Sequence, residues 1–153
     1  MKKILSVALS LVLWTMMGVA VSAENTTGGT IYLTYQVAET YTITIPESVT
    51  LGNSATISAS GVLIHPSDYV LVEISETSEE DNAFAVRNFT GAALNYQVKS
   101  ADGTKTYAVE DEVAKFSANG SVGIQFTAPT QAPVYAGTYT GTITFSVRLA
   151  GVA

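Results

Sequence analysis

Apolar and polar residues alternate along most of the chain after residue 30. The clearest run extends from Tyr139 to Leu149, where every second residue is apolar or glycine and the residues between them are threonine, serine and arginine. A period of two sustained over this length predicts a long β-strand with one buried face and one solvent-facing side.

The same alternation predicts strands along the rest of the chain. Turn residues separate these runs, and Asp102-Gly103 and Asn119-Gly120 predict tight hairpins, because such turns favour positive φ. The predicted strands cover residues 31–37, 41–45, 70–74, 94–98 and 122–126, with shorter ones at 55–60, 84–88, 105–108 and 113–116. We therefore expect an all-β protein, an immunoglobulin-like two-sheet antiparallel β-sandwich of about 8–10 strands.

The first residues have the three parts of a secretory signal. Lys2 and Lys3 precede an apolar run that ends in small residues at Ala23, which places the expected cleavage between Ala23 and Glu24. We expect residues 1–23 to be a signal peptide, 24–29 a flexible leader and 30–153 a single domain. An uncleaved membrane anchor is the alternative, because the apolar run approaches the length that spans a bilayer.

Charge and cysteine content narrow the expected partners. After cleavage, the chain has five basic and 13 acidic residues, which gives a formal charge of 5 − 13 = −8. Such a chain is not expected to bind nucleic acid, nor a membrane once the signal is removed. The chain has no cysteine, which excludes thiol chemistry and cysteine-based metal sites. We expect a secreted protein, extracellular or at the cell surface, that uses no cofactor.

Residues with catalytic or metal-binding chemistry are few. His65, the single histidine, lies in the predicted turn His65-Pro66-Ser67-Asp68, and no Gly-x-Ser-x-Gly turn accompanies it. A Ser/His/Asp arrangement stays open, because such groups meet only in space. The acidic clusters at residues 73–81 and 110–112 lack the spacing of a calcium loop and are interpreted as solvated surface. We therefore expect no metal site and no enzymatic activity.

The eight tyrosines fall into two groups. Four lie on the apolar faces of predicted strands, where core packing is expected: Tyr35, Tyr41, Tyr96 and Tyr139. The other four are candidate ligand-binding residues, since exposed rings can stack on sugars or form adhesive contacts: Tyr32, Tyr69, Tyr107 and Tyr135.

Two stretches, residues 41–51 (YTITIPESVTL) and 135–145 (YAGTYTGTITF), carry a resemblance. They resemble small secreted β-sandwich surface proteins of Gram-positive bacteria, and the second is similar to the last strand of WxL-type and pilus or coat modules. The resemblance implies a cell-surface setting and brings no catalytic residues. The Trp-x-Leu motif is absent after the signal, and no Leu-Pro-x-Thr-Gly sequence follows, so covalent wall anchoring is not expected.

These patterns favour a non-enzymatic structural or adhesive subunit whose partners are other surface proteins or further copies of itself. Residues 30–37 are either the first strand of their own sheet or a strand donated to an exposed sheet edge of a neighbour, building a fibre. The alternatives are a carbohydrate-binding module that holds glycans on exposed tyrosines, and a hydrolase that uses carboxylates.

Overall fold

The computed structural model describes residues 32–151, so the predicted signal peptide, the leader and the expected cleavage at Ala23 and Glu24 lie outside the described residues. The described chain forms ten strands. They are β1 (Thr40–Thr44), β2 (Ser54–Leu63), β3 (Asp68–Thr77), β4 (Ala85–Arg87), β5 (Ala93–Asn95), β6 (Val98–Ser100), β7 (Thr106–Tyr107), β8 (Glu112–Phe116), β9 (Gly120–Phe126) and β10 (Ile143–Gly151).

The strands form three antiparallel sheets that pack against one another. One sheet has the order β1-β2-β9-β6-β7, a second has the order β10-β3-β8, and β4 pairs with β5. The predicted fold class, an all-β sandwich, is confirmed. The structure adds the short β4–β5 hairpin as a third sheet.

The core lies between the two larger sheets and is built from the apolar faces that the alternation indicated. Ile57, Val72, Ile74 and Val98 have no exposed surface, and Ile124 of β9 is 1% exposed. They belong to one apolar cluster that joins strands of both sheets. Burial of each such side chain contributes about 1.5–3 kcal/mol, so this shared core holds the sheets together without disulfides.

One predicted strand, at residues 94–98, is divided in the structure. Leu94 lies in β5 and Val98 in β6, which belong to different sheets, although both side chains are buried. Between them the Tyr96 N–H donates to the Phe84 carbonyl at 2.9 Å and the Gln97 N–H to Thr127 Oγ1 at 2.9 Å. The alternation therefore gave the correct inward residues, but a single strand was the wrong prediction.

Of the two predicted hairpins, one is confirmed and one is wrong. Gly103 has a φ of 72° in the turn between β6 and β7, as the Asp102-Gly103 pair predicted. Asn119-Gly120 instead joins β8 to β9, which lie in different sheets. There Asn119 Oδ1 accepts the Val62 N–H at 2.9 Å, so this side chain fixes a crossing between sheets rather than a tight turn.

The predicted first strand at residues 31–37 is not found. Residues 32–39 have no regular secondary structure, and Leu33 and Tyr35 are each 91% exposed. β1 starts only at Thr40. Among the described residues, the domain is therefore preceded by an exposed segment that carries strand-like alternation without belonging to any of the three sheets.

Candidate functional site

An open apolar groove lies at one end of the sandwich and encloses about 650 Å³. Its walls come from the chain that follows β1, the start of β2, the end of β9 and the start of β10, which the antiparallel order brings to the same end. The apolar side chains that line this groove include the partly exposed Ile45, Leu51, Ile143 and Phe145 and the buried Ile57 and Phe126.

Aromatic packing forms part of the groove surface. The ring of Tyr96 lies 6.4 Å from the ring of Phe126 and 5.8 Å from that of Phe84, in tilted arrangements. Burial raises the pKa of Tyr96 above its usual value of 10.0. The hydroxyl therefore stays neutral at physiological pH, and the groove remains an apolar surface.

The inward-facing side chains of the strands beside the groove are only partly covered. Tyr41 and Ile43 of β1, and Ile143, Phe145 and Leu149 of β10, pack against the core yet remain half-buried. Val147 pairs with the fully buried Val72, so it faces inward, but 38% of its surface is exposed. A closed sandwich would bury these positions, so the core is incompletely covered along β1 and β10.

Both strands also present a free hydrogen-bonding edge. Among the described residues, β10 has β3 as its single neighbouring strand, and β1 has only β2. A long edge strand next to exposed apolar side chains is a template for another strand. An added strand would thus find apolar contacts in the groove and backbone hydrogen bonds at the edge of β10.

β10 is held firmly against β3. Arg148 donates from Nε and Nη2 to the Glu73 carboxylate, each at 3.0 Å, and these bonds hold the pKa of Glu73 below its usual 4.5. On the same outer face, Leu71 pairs with Arg148 on one side and Lys115 on the other. Leu71 is only 1% exposed, because these long side chains cover it. The register of β10, and with it the groove wall, is therefore well fixed.

The chain before β10 runs close to β4. Thr140 and Arg87 exchange two backbone hydrogen bonds of 2.9 Å, and a Cβ added at the next residue, Gly141, would lie 2.6 Å from the Ala85 carbonyl oxygen. Only glycine fits this approach. β10 starts at Ile143, four residues later than the alternation predicted, and the stretch before it forms one wall of the groove.

The four tyrosines predicted to bind ligands do not share one element. Tyr32 is 89% exposed on the N-terminal segment and Tyr135 is 54% exposed before β10, whereas Tyr69 is half-buried on β3 beneath Lys115 Nζ, 3.5 Å from its ring centroid. Tyr107 is 7% exposed and belongs to the core, so the prediction of an exposed ring there was wrong. Tyr35, predicted to be in the core, is instead exposed.

The turn at His65 brings three polar side chains together in an order unlike that of a catalytic triad. His65 Nδ1 lies 2.7 Å from Ser67 Oγ, which lies 3.3 Å from Asp68 Oδ1. The serine, not the imidazole, stands between the other two, so the carboxylate does not orient the histidine as a general base. The local turn explains the contacts of all three side chains.

The acidic clusters are used in pairing and turn formation. The Arg87 Nε–H donates a bifurcated bond to both carboxylate oxygens of Glu79, each at 2.9 Å, and Asp111 Oδ2 accepts the Ala108 N–H at 2.8 Å. Within the described part of the chain, no group of three or more histidine or acidic residues is arranged to hold a metal ion.

The groove was not anticipated from the sequence. Alternation placed Ile45, Phe126, Ile143 and Phe145 on the apolar faces of their strands, but this period does not tell which strand has no neighbour on one side. The relevant sequence signal is the alternation at residues 31–37. From the sequence, these residues could be either the first strand of their own sheet or a strand donated to a neighbour.

No protein-family model, curated protein or solved structure matches this chain. Residues 32–151 contain no helix with the length and apolar character needed to cross a membrane.

Proposed function

We propose that this protein is a secreted, non-enzymatic structural subunit that associates with copies of itself through the open groove and the free edge of β10. The supporting observation is the incomplete cover of the core: the partly exposed side chains of Ile45, Leu51, Ile143 and Phe145 line a groove of about 650 Å³ beside an edge strand. Exposed apolar surface that adjoins a free strand edge is typical of an interaction site.

The surface around the groove supports association rather than chemistry. The lining includes apolar side chains, threonines and glycine, with Glu47 as its charged residue among those described. A groove of this kind offers dispersion contacts and backbone hydrogen bonds but few groups that transfer protons.

Sugar binding through the tyrosines has less support. A stacking platform needs neighbouring exposed rings, whereas Tyr107 is buried and Tyr32, Tyr69 and Tyr135 lie on separate elements.

The experiment is to measure the mass of the exported protein by light scattering across a hundredfold range of concentration. We expect species larger than the monomer that grow with concentration. Val147→Asp places a charge on the inward face of β10, where 38% of the side chain is already exposed, and we expect it to reduce the large species at least tenfold.

Thr144→Asp is the matched control, because this residue lies on the same strand with its side chain exposed on the opposite face. It adds the same charge and should assemble as the wild type does. Far-UV circular dichroism checks that both variants keep the sheet. A wild-type protein that stays monomeric at every concentration would contradict the proposed function.

A further inference from the structure

We propose that residues 32–37 of one copy enter the groove of a second copy, as an added strand antiparallel to the outer edge of β10. This inference rests on the proposed function and specifies how the copies join. Residues 32–37 are called the donor segment below.

The donor segment has strand character but no sheet of its own. In the described part, Leu33 and Tyr35 are each 91% exposed and Val37 is 54% exposed, and these three alternate with Thr34 and Gln36. One face of a strand formed by this segment would be apolar and the other polar. Such a segment gains burial only by pairing with another sheet.

The free edge of β10 and the groove beside it, called the acceptor below, match the donor segment in length and in chemistry. The six residues 32–37 in extended form span about 20 Å, and β10 with its nine residues spans about 30 Å. The inward apolar face of β10 includes Phe145 and Val147, which the alternate side chains of an added strand would cover. The backbone of the added strand would at the same time form hydrogen bonds with the free edge of β10.

The chain leaves the domain at the end opposite the groove. Glu39 Oε1 accepts the His65 N–H at 2.9 Å and Thr40 Oγ1 donates to the Gly61 carbonyl at 3.1 Å, which fixes the start of β1 beside the β2–β3 turn. The groove is instead lined by Ile45 and Leu51, which follow the other end of β1.

A donor segment that added to β10 of its own domain would lie with Val37 near the Gly151 end, because Gly151 pairs with Asp68 beside the β2–β3 turn. It would then run in the same direction as β10, and parallel pairing is slightly less stable than antiparallel pairing. The geometry therefore favours donation to a second copy.

Opposite placement of donor and acceptor determines the assembly. Each copy donates at one end and accepts at the other, so the contact is heterologous and repeats head to tail into a linear fibre. A donor entering at the Ile143 end of β10 runs with Val37 near Ile143 and its N-terminal residues towards Leu149. This direction is antiparallel to β10, the arrangement with the better hydrogen-bond geometry.

The test combines two blocked variants of the exported protein. Leu33→Asp with Tyr35→Asp blocks the donor and leaves the acceptor intact, whereas Val147→Asp blocks the acceptor and leaves the donor intact. We expect each variant alone to be monomeric and their mixture to give a species of twice the monomer mass. Thr34→Asp with Gln36→Asp, on the other face of the donor segment, should still assemble to at least half the wild-type extent.

The alternatives give different results. If copies join by symmetric pairing of their β10 edges, the donor-blocked variant assembles like the wild type and the mixture adds nothing; this overturns the donor segment but keeps the proposed function. If the wild type itself is monomeric, both proposals fail.

The direction of the added strand is tested with cysteines, since the chain has none of its own. We expect Val37→Cys combined with Ile143→Cys to give a ladder of disulfide-linked oligomers on a non-reducing gel. Val37→Cys combined with Leu149→Cys should give at least fivefold less. The reverse preference would overturn the antiparallel arrangement.

Discussion

Replacement of Gly141 by alanine tests the close approach between β4 and the chain that leads into β10. The added Cβ would lie 2.6 Å from the Ala85 carbonyl oxygen, 3.3 Å from Ser78 Oγ and 3.4 Å from Val86 Cγ1. An ordinary carbon–oxygen contact is about 3.3–3.6 Å, so the backbone must move by roughly 0.7–1 Å.

The cost follows from the hydrogen bonds on either side of this glycine. Thr140 exchanges two bonds of 2.9 Å with Arg87, and the Ser78 N–H donates to the Thr142 carbonyl at 3.0 Å. Loss of two such bonds costs about 1–3 kcal/mol, and the lower flexibility of alanine in the unfolded chain offsets about 0.4–1 kcal/mol. We expect a net loss of about 1–2 kcal/mol and a fall in Tm of roughly 4–8 °C.

Gly120→Ala is the matched control. Gly120 is also exposed and has no positive φ, but a Cβ there would meet its nearest atom, in the ring of Phe116, at 3.8 Å. Its stability should be unchanged or rise by up to about 1 kcal/mol. Urea unfolding followed by circular dichroism, at one protein concentration, gives both values. If Gly141→Ala is as stable as Gly120→Ala, the close approach is refuted.

Three further predictions concern the core, a covered leucine and acid stability. Ile74→Ala, which removes a side chain with no exposed surface, should cost about 2–5 kcal/mol in urea unfolding. Arg148→Ala should destabilise more than Arg148→Met, because methionine still covers Leu71; equal losses would show that the charge alone matters. The hydrogen bond from Ser100 lowers the pKa of Asp102 below its usual 3.8, so its contribution is present above pH 3.8 and is lost as the pH falls through the folded pKa. Asp102→Asn should therefore flatten this part of a pH titration of unfolding, and an unchanged acid profile would contradict the assignment.

Much of the sandwich could be predicted from the period of two, because alternation reports which side chains face the core. It placed Val70, Val72 and Ile74 inward on β3, and all three are buried. The same pattern put Leu71 on the solvent side, yet it is 1% exposed. The long side chains that cover it come from positions 115 and 148, and strand register across such distances cannot be read from local sequence.

The groove shows a second limit of local pattern. Residues 31–37 and 143–149 alternate equally well, but the structure pairs the second run with β3 and leaves the described part of the first without a sheet. Which run finds a partner depends on strand order and on the direction in which the chain leaves β1. These are properties of the assembled sheets, so the sequence alone leaves the donor role as one of two interpretations.

The pairing of β10 with β3 also has a consequence for the order of folding. Thr77 of β3 pairs with Ile143, 143 − 77 = 66 positions further along the chain. While residues 143–151 are still being synthesised, β3 has one side bare and the three-stranded sheet cannot close. The apolar face of β3 therefore gains the cover of β10 only through a long-range pairing, and pairings of this kind slow folding.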